Sequence, residues 1–261
     1  MVIRPALEGD ITPALAVMSQ AFDLHLRAPT VHTLVAASES GVLLVAEDAG
    51  EIVGTAASVG FGSSGWLGGV TVAPEARGSG LGRRLTEAAI DALGDVETVL
   101  LLASAMGRPL YERLGFEAEG RYRVFMSGSA KPEQTVELRD VREEDRDAVL
   151  AIDRGATGED RSLAVLASLD GAVATPDLSA VALRPPWRAL PIVGDPAGAT
   201  TLLTSLIEPG MRLAVPEDNR AAVQLLSLLG REVDPVTRMR RGPAVPWRPE
   251  RVWGAFSLFF G

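Results

Sequence analysis

The stretch Gly69–Arg84, GVTVAPEARGSGLGRR, has residue types and a spacing that suggest chemistry. An apolar strand pattern runs into it, and a helical pattern follows Gly82 at once. Glycine lets the backbone approach a ligand closely and adopt positive φ angles. The free N–H groups at the start of a helix form an anion site, which the helix dipole supports. The spacing therefore predicts a pyrophosphate cradle, which we define as Arg77–Gly82.

Two common phosphate-binding loops do not fit this stretch. A Walker loop needs the pattern GxxxxGK[ST], whereas the single lysine of the chain is Lys131. The dinucleotide pattern GxGxxG, started at Gly80, would need a glycine where Leu85 stands. A nucleotide-binding protein of either type is therefore disfavoured.

The order of strand, Pro74-x-x-Arg77-Gly78-x-Gly80-x-Gly82 and helix resembles the GNAT superfamily of acyl-CoA-dependent N-acyltransferases. The signature of that family is Arg/Gln-x-x-Gly-x-Gly/Ala. The segment Pro109–Phe116, PLYERLGF, resembles the second family motif, Leu-Tyr-x-x-x-Gly-Phe. It follows the cradle by about 30 residues, with one helix and one strand between them. The resemblance covers residues 1–126.

The resemblance implies acetyl-CoA as acyl donor and assigns a role to each motif. Backbone groups of the strand would hold the pantetheine arm like an added strand, and one N–H would polarise the thioester carbonyl; these residues are Val70, Thr71 and Val72. The cradle would hold the pyrophosphate, with Arg83 near a phosphate; its members are Arg77, Gly78, Ser79, Gly80, Leu81 and Gly82. Ser104 stands seven residues before Tyr111, where many members have an asparagine that contacts the cofactor. Tyr111 would be the catalytic acid that protonates the departing thiolate.

The sequence leaves the general base open. The strand Trp66–Val72 contains no acidic residue, although the family often places one there. The alternatives are a water relay, the carboxylate of Gly261 and a small set of side chains: Asp23, His25, Glu47, Glu51 and Asp218.

Strand and helix patterns alternate through the first half. We expect strands at Val2–Arg4, Val42–Ala46, Ile52–Val59, Trp66–Val72, Val96–Leu102 and Val124–Met126, with the last one closing the unit. Helices are expected after Asp10, over Arg83–Leu93 and over Pro109–Leu114. The small, polar stretch Ser127–Gln134 is the best linker in the chain. The apolar tail Val252–Gly261 is predicted to be a buried strand.

The second half repeats features of the first half. Leu138-Arg139, Asp145 and Leu150 follow Ile3-Arg4, Asp10 and Leu15 at a constant offset of 135. Leu225, Leu229 and Gly230 follow Leu110, Leu114 and Gly115 at an offset of 115. Two matched segments in the same order indicate a duplication. The second copy has no Arg-x-x-Gly-x-Gly after its expected strand Ala189–Val193, and Leu226 replaces the tyrosine.

Composition excludes several other chemistries. The 261 residues contain no cysteine, which excludes a thiolate side chain as nucleophile or metal ligand. The chain has only two histidines, His25 and His32, which disfavours a metal centre built from several histidines. The net charge of −9 disfavours nucleic acid as a partner. We find no signal peptide pattern and no apolar run long enough for a membrane span.

These observations predict an α/β protein with a mixed central sheet flanked by helices, built as two tandem GNAT-like domains. Residues 1–128 would form the catalytic, acetyl-CoA-binding domain, and residues 135–261 a degenerate GNAT-like domain. The expected function is N-acetyl transfer to a primary amine, carried by a small molecule or a peptide. The alternative is a non-catalytic acyl-CoA sensor or interaction module. We expect a cytoplasmic protein without metal, nucleic acid or membrane partners, with a homodimer left as an option.

Overall fold

The computed structural model describes residues 1–22, 41–128, 137–185 and 189–261. In these ranges the helices are α1 (Ile11–Phe22), α2 (Leu81–Asp91), α3 (Arg108–Arg113), α4 (Arg146–Thr157), α5 (Ser162–Leu166), α6 (Pro196–Leu206) and α7 (Arg220–Leu229). The strands of the first half are β1 (Val2–Pro5), β2 (Val42–Asp48), β3 (Glu51–Phe61), β4 (Ser64–Val72), β5 (Thr98–Ala103) and β6 (Glu117–Ser127). Those of the second half are β7 (Arg139–Asp140), β8 (Val173–Ala174), β9 (Ala180–Ala182), β10 (Ile192–Gly194), β11 (Arg212–Pro216) and β12 (Gly230–Arg241).

The strands form two sheets. The larger sheet has eight strands in the order β1-β2-β3-β4-β5-β12-β6-β11, and the smaller has four in the order β10-β9-β8-β7. Strands β4 and β5 pair in parallel, whereas the other pairs are antiparallel. The predicted mixed sheet flanked by helices is confirmed.

The two halves exchange strands at the centre of the larger sheet. β12 lies between β5 and β6, and β11 pairs with the outer edge of β6. The last strand of the first half was expected to close that half by itself. Instead, β6 pairs on both sides with strands of the second half. This arrangement satisfies backbone groups that either half alone would leave unpaired at a sheet edge.

Apolar side chains cover both faces of the sheet. One core joins α1 to α4 and includes Met18, Trp66 and Leu100. The opposite face packs against α2 and α3 and includes Leu85, Leu101 and Tyr111. Because alternate residues of a strand face opposite sides, β4 and β5 contribute to both cores. No helix in the described ranges is long and apolar enough to cross a membrane.

The two halves begin with the same ion pair. Arg4 donates two hydrogen bonds to Asp10, at 2.5 and 3.1 Å, and Arg139 donates two to Asp145, at 2.6 and 2.9 Å. These guanidinium contacts lower the pKa of both aspartates to about 2. Each aspartate also accepts a backbone N–H at the start of its helical region. The predicted offset of 135 therefore joins residues with the same bonding.

A buried polar cluster connects the second half to β4. The Glu159 carboxylate accepts hydrogen bonds from Ser64 Oγ and Trp66 Nε1, both at 2.7 Å. Arg161 donates two hydrogen bonds to Asp153 and one to the backbone oxygen of Gly261. Both members of the Asp153–Arg161 pair are almost fully buried. The cluster lines a cavity of about 10 Å³ against Trp66 and Gly261.

The C-terminal tail, Val252–Gly261, only partly matches the prediction of a buried strand. Residues Val252–Phe256, Ser257, Phe260 and Gly261 are buried, as expected. The tail is not a strand, since its one ladder contact is the bridge between Val252 and Val193. Its apolar composition predicts burial, but hydrogen-bond partners rather than composition determine whether a buried segment extends into a ladder.

Removing one member of the buried ion pair should test how much this cluster stabilises the fold. We expect Asp153→Ala to lower the free energy of unfolding by about 3–5 kcal/mol, because Arg161 would remain as an uncompensated buried charge. Arg154→Ala is the matched control, since the Arg154–Asp160 pair is exposed and should contribute about 1 kcal/mol or less. Urea unfolding measures both, and equal effects would contradict the assignment.

Candidate active site

β4 has an open edge at its C-terminal end. Its parallel pairing with β5 runs from Ser64–Thr98 to Leu67–Leu101 and then stops. β4 nevertheless continues to Val72, and β5 continues to Ala103. Backbone groups of residues 68–72 therefore face a gap between two diverging strands. An extended chain with amide groups, such as a pantetheine arm, can add to such an edge.

A β-bulge shapes this open edge. The register between β3 and β4 shifts between Thr55 and Ala57, and Gly69 has a φ angle of 59°. The Thr55 hydroxyl donates to the Gly69 carbonyl at 2.7 Å and lies 2.7 Å from the Thr71 hydroxyl. Both threonines are buried. The Thr71 side chain therefore braces the bulge, so only its backbone remains for a ligand.

The cradle joins the open edge to the N-terminus of α2. Gly78 and Gly80 have φ angles of 78° and 77°, and a Cβ at either position would meet no atom within 4 Å. Gly80 is the N-cap of α2, and Leu81 anchors the first turn with a side chain that is 1% exposed. No described residue accepts a hydrogen bond from the N–H groups of residues 78–83. These donors can therefore bind an anion.

The polar side chains of the cradle are partly engaged by its own backbone. Arg77 Nε donates to the carbonyl of Val72 at 3.1 Å, and Ser79 Oγ donates to the carbonyl of Ala76 at 2.7 Å. Arg83 is exposed and pairs with Glu87 one helical turn later. A Cβ at Gly82 would lie 3.6 Å from the Leu110 side chain and 3.7 Å from the Val72 side chain, so the cradle lies close to α3.

Tyr111 lies on α3, in the core that packs on the α2 side of the sheet. Its side chain is 8% exposed, and its ring packs edge-on against Phe116 with centroids 6.0 Å apart. Burial raises the pKa of the phenol to about 12, so the hydroxyl stays protonated at neutral pH. The hydroxyl makes no hydrogen bond to a residue in the described ranges.

Ser104 lies at the start of α3, next to the tyrosine. Its Oγ accepts a hydrogen bond from the Gly107 N–H at 3.2 Å, and its carbonyl accepts from the N–H groups of Gly107 and Arg108. A Cβ at Gly107 would lie 3.3 Å from the Tyr111 ring and 3.4 Å from Ser104 Oγ. The structure thus places Ser104 beside Tyr111, and its role toward the cofactor stays a prediction.

The candidate bases that the structure describes are spread over several elements, and one of them, Gly261, lies against Trp66 of β4. Glu47 is held by two hydrogen bonds from Arg4, and Glu51 is exposed at the turn between β2 and β3. Asp218 is exposed one residue before the N-cap of α7. Asp23, His25 and His32 lie outside the described residues. The general base stays a prediction, with a water relay, the Gly261 carboxylate and the candidates outside the described residues as its alternatives.

The structure adds groups that the sequence did not single out. Phe259 lies against Gly68, where a Cβ would be 2.3 Å from the Phe259 backbone oxygen. A Cβ at Gly69 would lie 2.5 Å from the Met18 side chain and 3.7 Å from the Phe259 ring. The apolar character of the tail was the available signal, but it did not indicate which strand the tail would cover.

Comparison with known proteins finds a family match within the first half of the chain. Residues 39–118 match the family model described as the acetyltransferase (GNAT) domain. These residues of the chain are therefore similar to GNAT acetyltransferase domains. The resemblance predicted from the two motifs is therefore confirmed. GNAT acetyltransferases use acetyl-CoA, and the cradle and the open edge of β4 both lie within the matched residues.

Two relatives extend this finding. A Bacillus subtilis protein described as an uncharacterized N-acetyltransferase is 36% identical over 105 residues, which are 39% of this chain and 37% of that protein. The match therefore spans little more than a third of the relative. A Pyrococcus horikoshii crystal structure, provisionally assigned as an acetyltransferase, is similar over 100% of this chain and 95% of its own. Its TM-score is 0.87 at 22% identity, so it shows a shared fold across both halves.

The N–H groups of the GNAT cradle predict an anion site that a negative side chain should block. We expect Gly80→Asp to weaken coenzyme A binding at least about tenfold, because like charges would face each other in the cradle. Gly94→Asp is the matched control, since Gly94 also has a positive φ angle and open space at its Cβ, but lies after the other end of α2. Isothermal titration calorimetry measures both. Equal affinity of the two variants would exclude this cradle.

Proposed function

We propose that this protein transfers an acetyl group from acetyl-CoA to a primary amine. The observation that carries the proposal is the open edge of β4, which runs directly into a cradle whose N–H groups have no partner among the described residues. An edge of this kind suits the amides of a pantetheine arm, and the cradle suits the pyrophosphate attached to it. The GNAT family of residues 39–118 supports the same assignment.

Each step of the reaction needs a group from the chain. Acetyl-CoA, when bound, supplies the acetyl group as a thioester. A carbon–nitrogen bond forms between the amine and the carbonyl carbon, and the carbon–sulfur bond breaks. A backbone N–H of Val70 or Val72 would polarise the carbonyl oxygen as it gains charge. The amine loses one proton to water, the thiolate gains one from Tyr111, and water returns a proton to the phenolate.

The pKa of Tyr111 defines how it acts. A pKa near 12 keeps the phenol protonated until it is needed. An ordinary thiol has a pKa near 8.5, so the phenol is the weaker acid and stays protonated until the carbon–sulfur bond breaks. Tyr111 would therefore donate a hydrogen bond to the sulfur as negative charge develops there, and would pass its proton to the thiolate in that step.

We further propose that the chain is a tandem repeat in which only the first copy is equipped for catalysis. Residues 1–128 and 135–261 would be the two domains, with an exchange of their last strands. The paired Arg4–Asp10 and Arg139–Asp145 contacts support this, as does the shared order of strands and helices. The second copy has Leu226 in place of Tyr111, and one residue, Asp195, joins β10 to α6.

The proposed reaction defines the acceptor by its chemical class, a primary amine. A small molecule or a peptide with a primary amine fits the proposed reaction. A cytoplasmic location and a homodimer stay predictions from the sequence.

Replacing the proposed acid should separate binding from turnover. We expect Tyr111→Phe to lower kcat at least about 100-fold, the usual contribution of general acid catalysis, while the Kd for acetyl-CoA changes little. Free thiol released from acetyl-CoA in the presence of a panel of amines measures turnover, and calorimetry measures Kd. Unchanged kcat would remove Tyr111 from its role. A wild-type protein that binds acetyl-CoA but releases no thiol with any amine would favour an acyl-CoA sensor.

A further inference from the structure

The second half contains a gap that corresponds to the open edge of β4. By the offset of 115, β5 corresponds to residues 213–218, which overlap β11, and Ser104 corresponds to Asn219. β10 precedes α6 as β4 precedes α2. In the described part of the chain β10 and β11 do not pair with each other, and they lie at the edges of different sheets. The gap between them is thus the counterpart of the proposed pantetheine cleft.

Residues 252–255 of the chain fill this second gap. Val252 bridges Val193, and the Trp253 N–H donates to the carbonyl of Ile192 at 2.8 Å. On the other side, the Ala255 N–H donates to the carbonyl of Ala214 at 2.8 Å. The segment therefore bonds to both edges, as an inserted pantetheine arm would.

Asn219 and Gly254 fix the segment in place. The Asn219 side chain is 2% exposed, and its Nδ2 donates to the carbonyls of Val252 at 2.9 Å and Glu250 at 3.3 Å. A Cβ at Gly254 would lie 2.3 Å from the carbonyl oxygen of Leu190, so glycine is needed for this close approach. Trp253 is fully buried in the core of the second half. The second cleft is thereby closed to a cofactor.

Beyond the second cleft, the chain reaches the first one. Residues 257–261 lie on the α1 side of β4, where Phe259 covers Gly68 and Gly261 lies against Trp66. Arg161 Nη1 and the Phe256 N–H both donate to the Gly261 carbonyl and hold this end of the segment. Phe259 and Met18 are the described side chains that crowd the missing Cβ of Gly69. Gly69 immediately precedes Val70, the start of the expected thioester-binding backbone.

We propose that Phe259 determines which amines reach the thioester, and that residues 252–255 hold it there by occupying the second cleft. This inference rests on the proposed acetyl transfer. Because the apolar Met18 and Phe259 side chains crowd the position of a Cβ at Gly69, they would leave little room there for a branch on the carbon next to the amine nitrogen. The acceptor class is therefore a primary amine on an unbranched carbon chain, and branching beside the nitrogen is disfavoured.

Truncating Phe259 should change selectivity for the acceptor. The probes are n-butylamine and tert-butylamine with acetyl-CoA, assayed by thiol release. We expect Phe259→Ala to raise the kcat/KM ratio of the branched to the unbranched amine at least about tenfold, with an unchanged Kd for acetyl-CoA. Leu258→Ala is the matched control, because Leu258 is also half-buried but packs against the separate cluster around Tyr122.

The outcomes separate this inference from the proposed function. A wild-type protein that fails to bind acetyl-CoA overturns the proposed function itself. A protein that binds acetyl-CoA but acetylates no unbranched amine overturns the acceptor class. An unchanged amine ratio in Phe259→Ala, with normal turnover, overturns the role of Phe259 alone.

The role of residues 252–255 in holding Phe259 in place is tested without measuring activity. Calorimetry of the wild type with acetyl-CoA should give one site per chain, and two sites would overturn the closure of the second cleft. We expect Gly254→Ala to increase amide hydrogen exchange across residues 252–261 at least about tenfold. Gly155→Ala is the control, because a Cβ there would meet nothing within 4 Å on the exposed face of α4. Equal exchange in both variants would overturn the anchor, and Phe259→Ala remains informative if Gly254→Ala does not fold.

Discussion

β12 pairs with β5 on one side and β6 on the other, and the rest of the architecture depends on this double pairing. A strand inside a sheet has N–H and C=O groups directed to both sides, and each must find a partner. Without β12, the first half would expose the edges of β5 and β6, and without β6 the second half would expose β11. The bulge in β12 falls between Val233 and Val236, where Pro235 has no N–H to donate. The halves are therefore joined by backbone hydrogen bonds.

The pairing of β12 with β5 and β6 also determines which residues surround the candidate site. β4 is two strands from β12, and its Trp66 and Ser64 side chains bond to Glu159 of the second half. Arg238 of β12 lies over the Trp66 ring at 4.9 Å from its centroid. Burial of these charges is tolerated because each has an opposite charge or an aromatic face close by. The strand that would hold the cofactor is thus positioned by residues from both halves.

The two clefts show how one arrangement of strands can serve two purposes. In the first half, a bulge at Gly69 and a long loop before α2 leave the end of β4 open. In the second half, the loop is short and the gap is filled by the chain itself. Open backbone edges are costly when buried, so each must be paired or left accessible to solvent or ligand. The edge in the first cleft is accessible, which suits its proposed catalytic role. The edges in the second cleft are paired with the chain itself, so that cleft is closed.

Regular elements and local motifs could be predicted well from the sequence. The hairpin of β2 and β3, the strand β4, α2 and the short helix around Tyr111 all follow from apolar periodicity and glycine positions. α2 begins at Leu81, two residues before the expected Arg83, because helix ends depend on local bonding rather than on periodicity. The partner of β6 could not be predicted, since strand pairing is a long-range choice that periodicity does not encode.

The sequence by itself predicted the cradle, the tyrosine motif and the resemblance to the GNAT superfamily, because each depends on residues that are close together along the chain. Glycines that adopt positive φ angles and a helix start create an anion site wherever they occur. Only the tertiary structure decided which strand would lie beside β5, what would fill the second cleft and where Phe259 would lie. Those outcomes depend on hydrogen bonds and contacts between residues more than 100 positions apart, such as Arg238 with Leu102 and Phe259 with Gly68. Such pairings are selected by the packing of the whole sheet, and no local pattern specifies them.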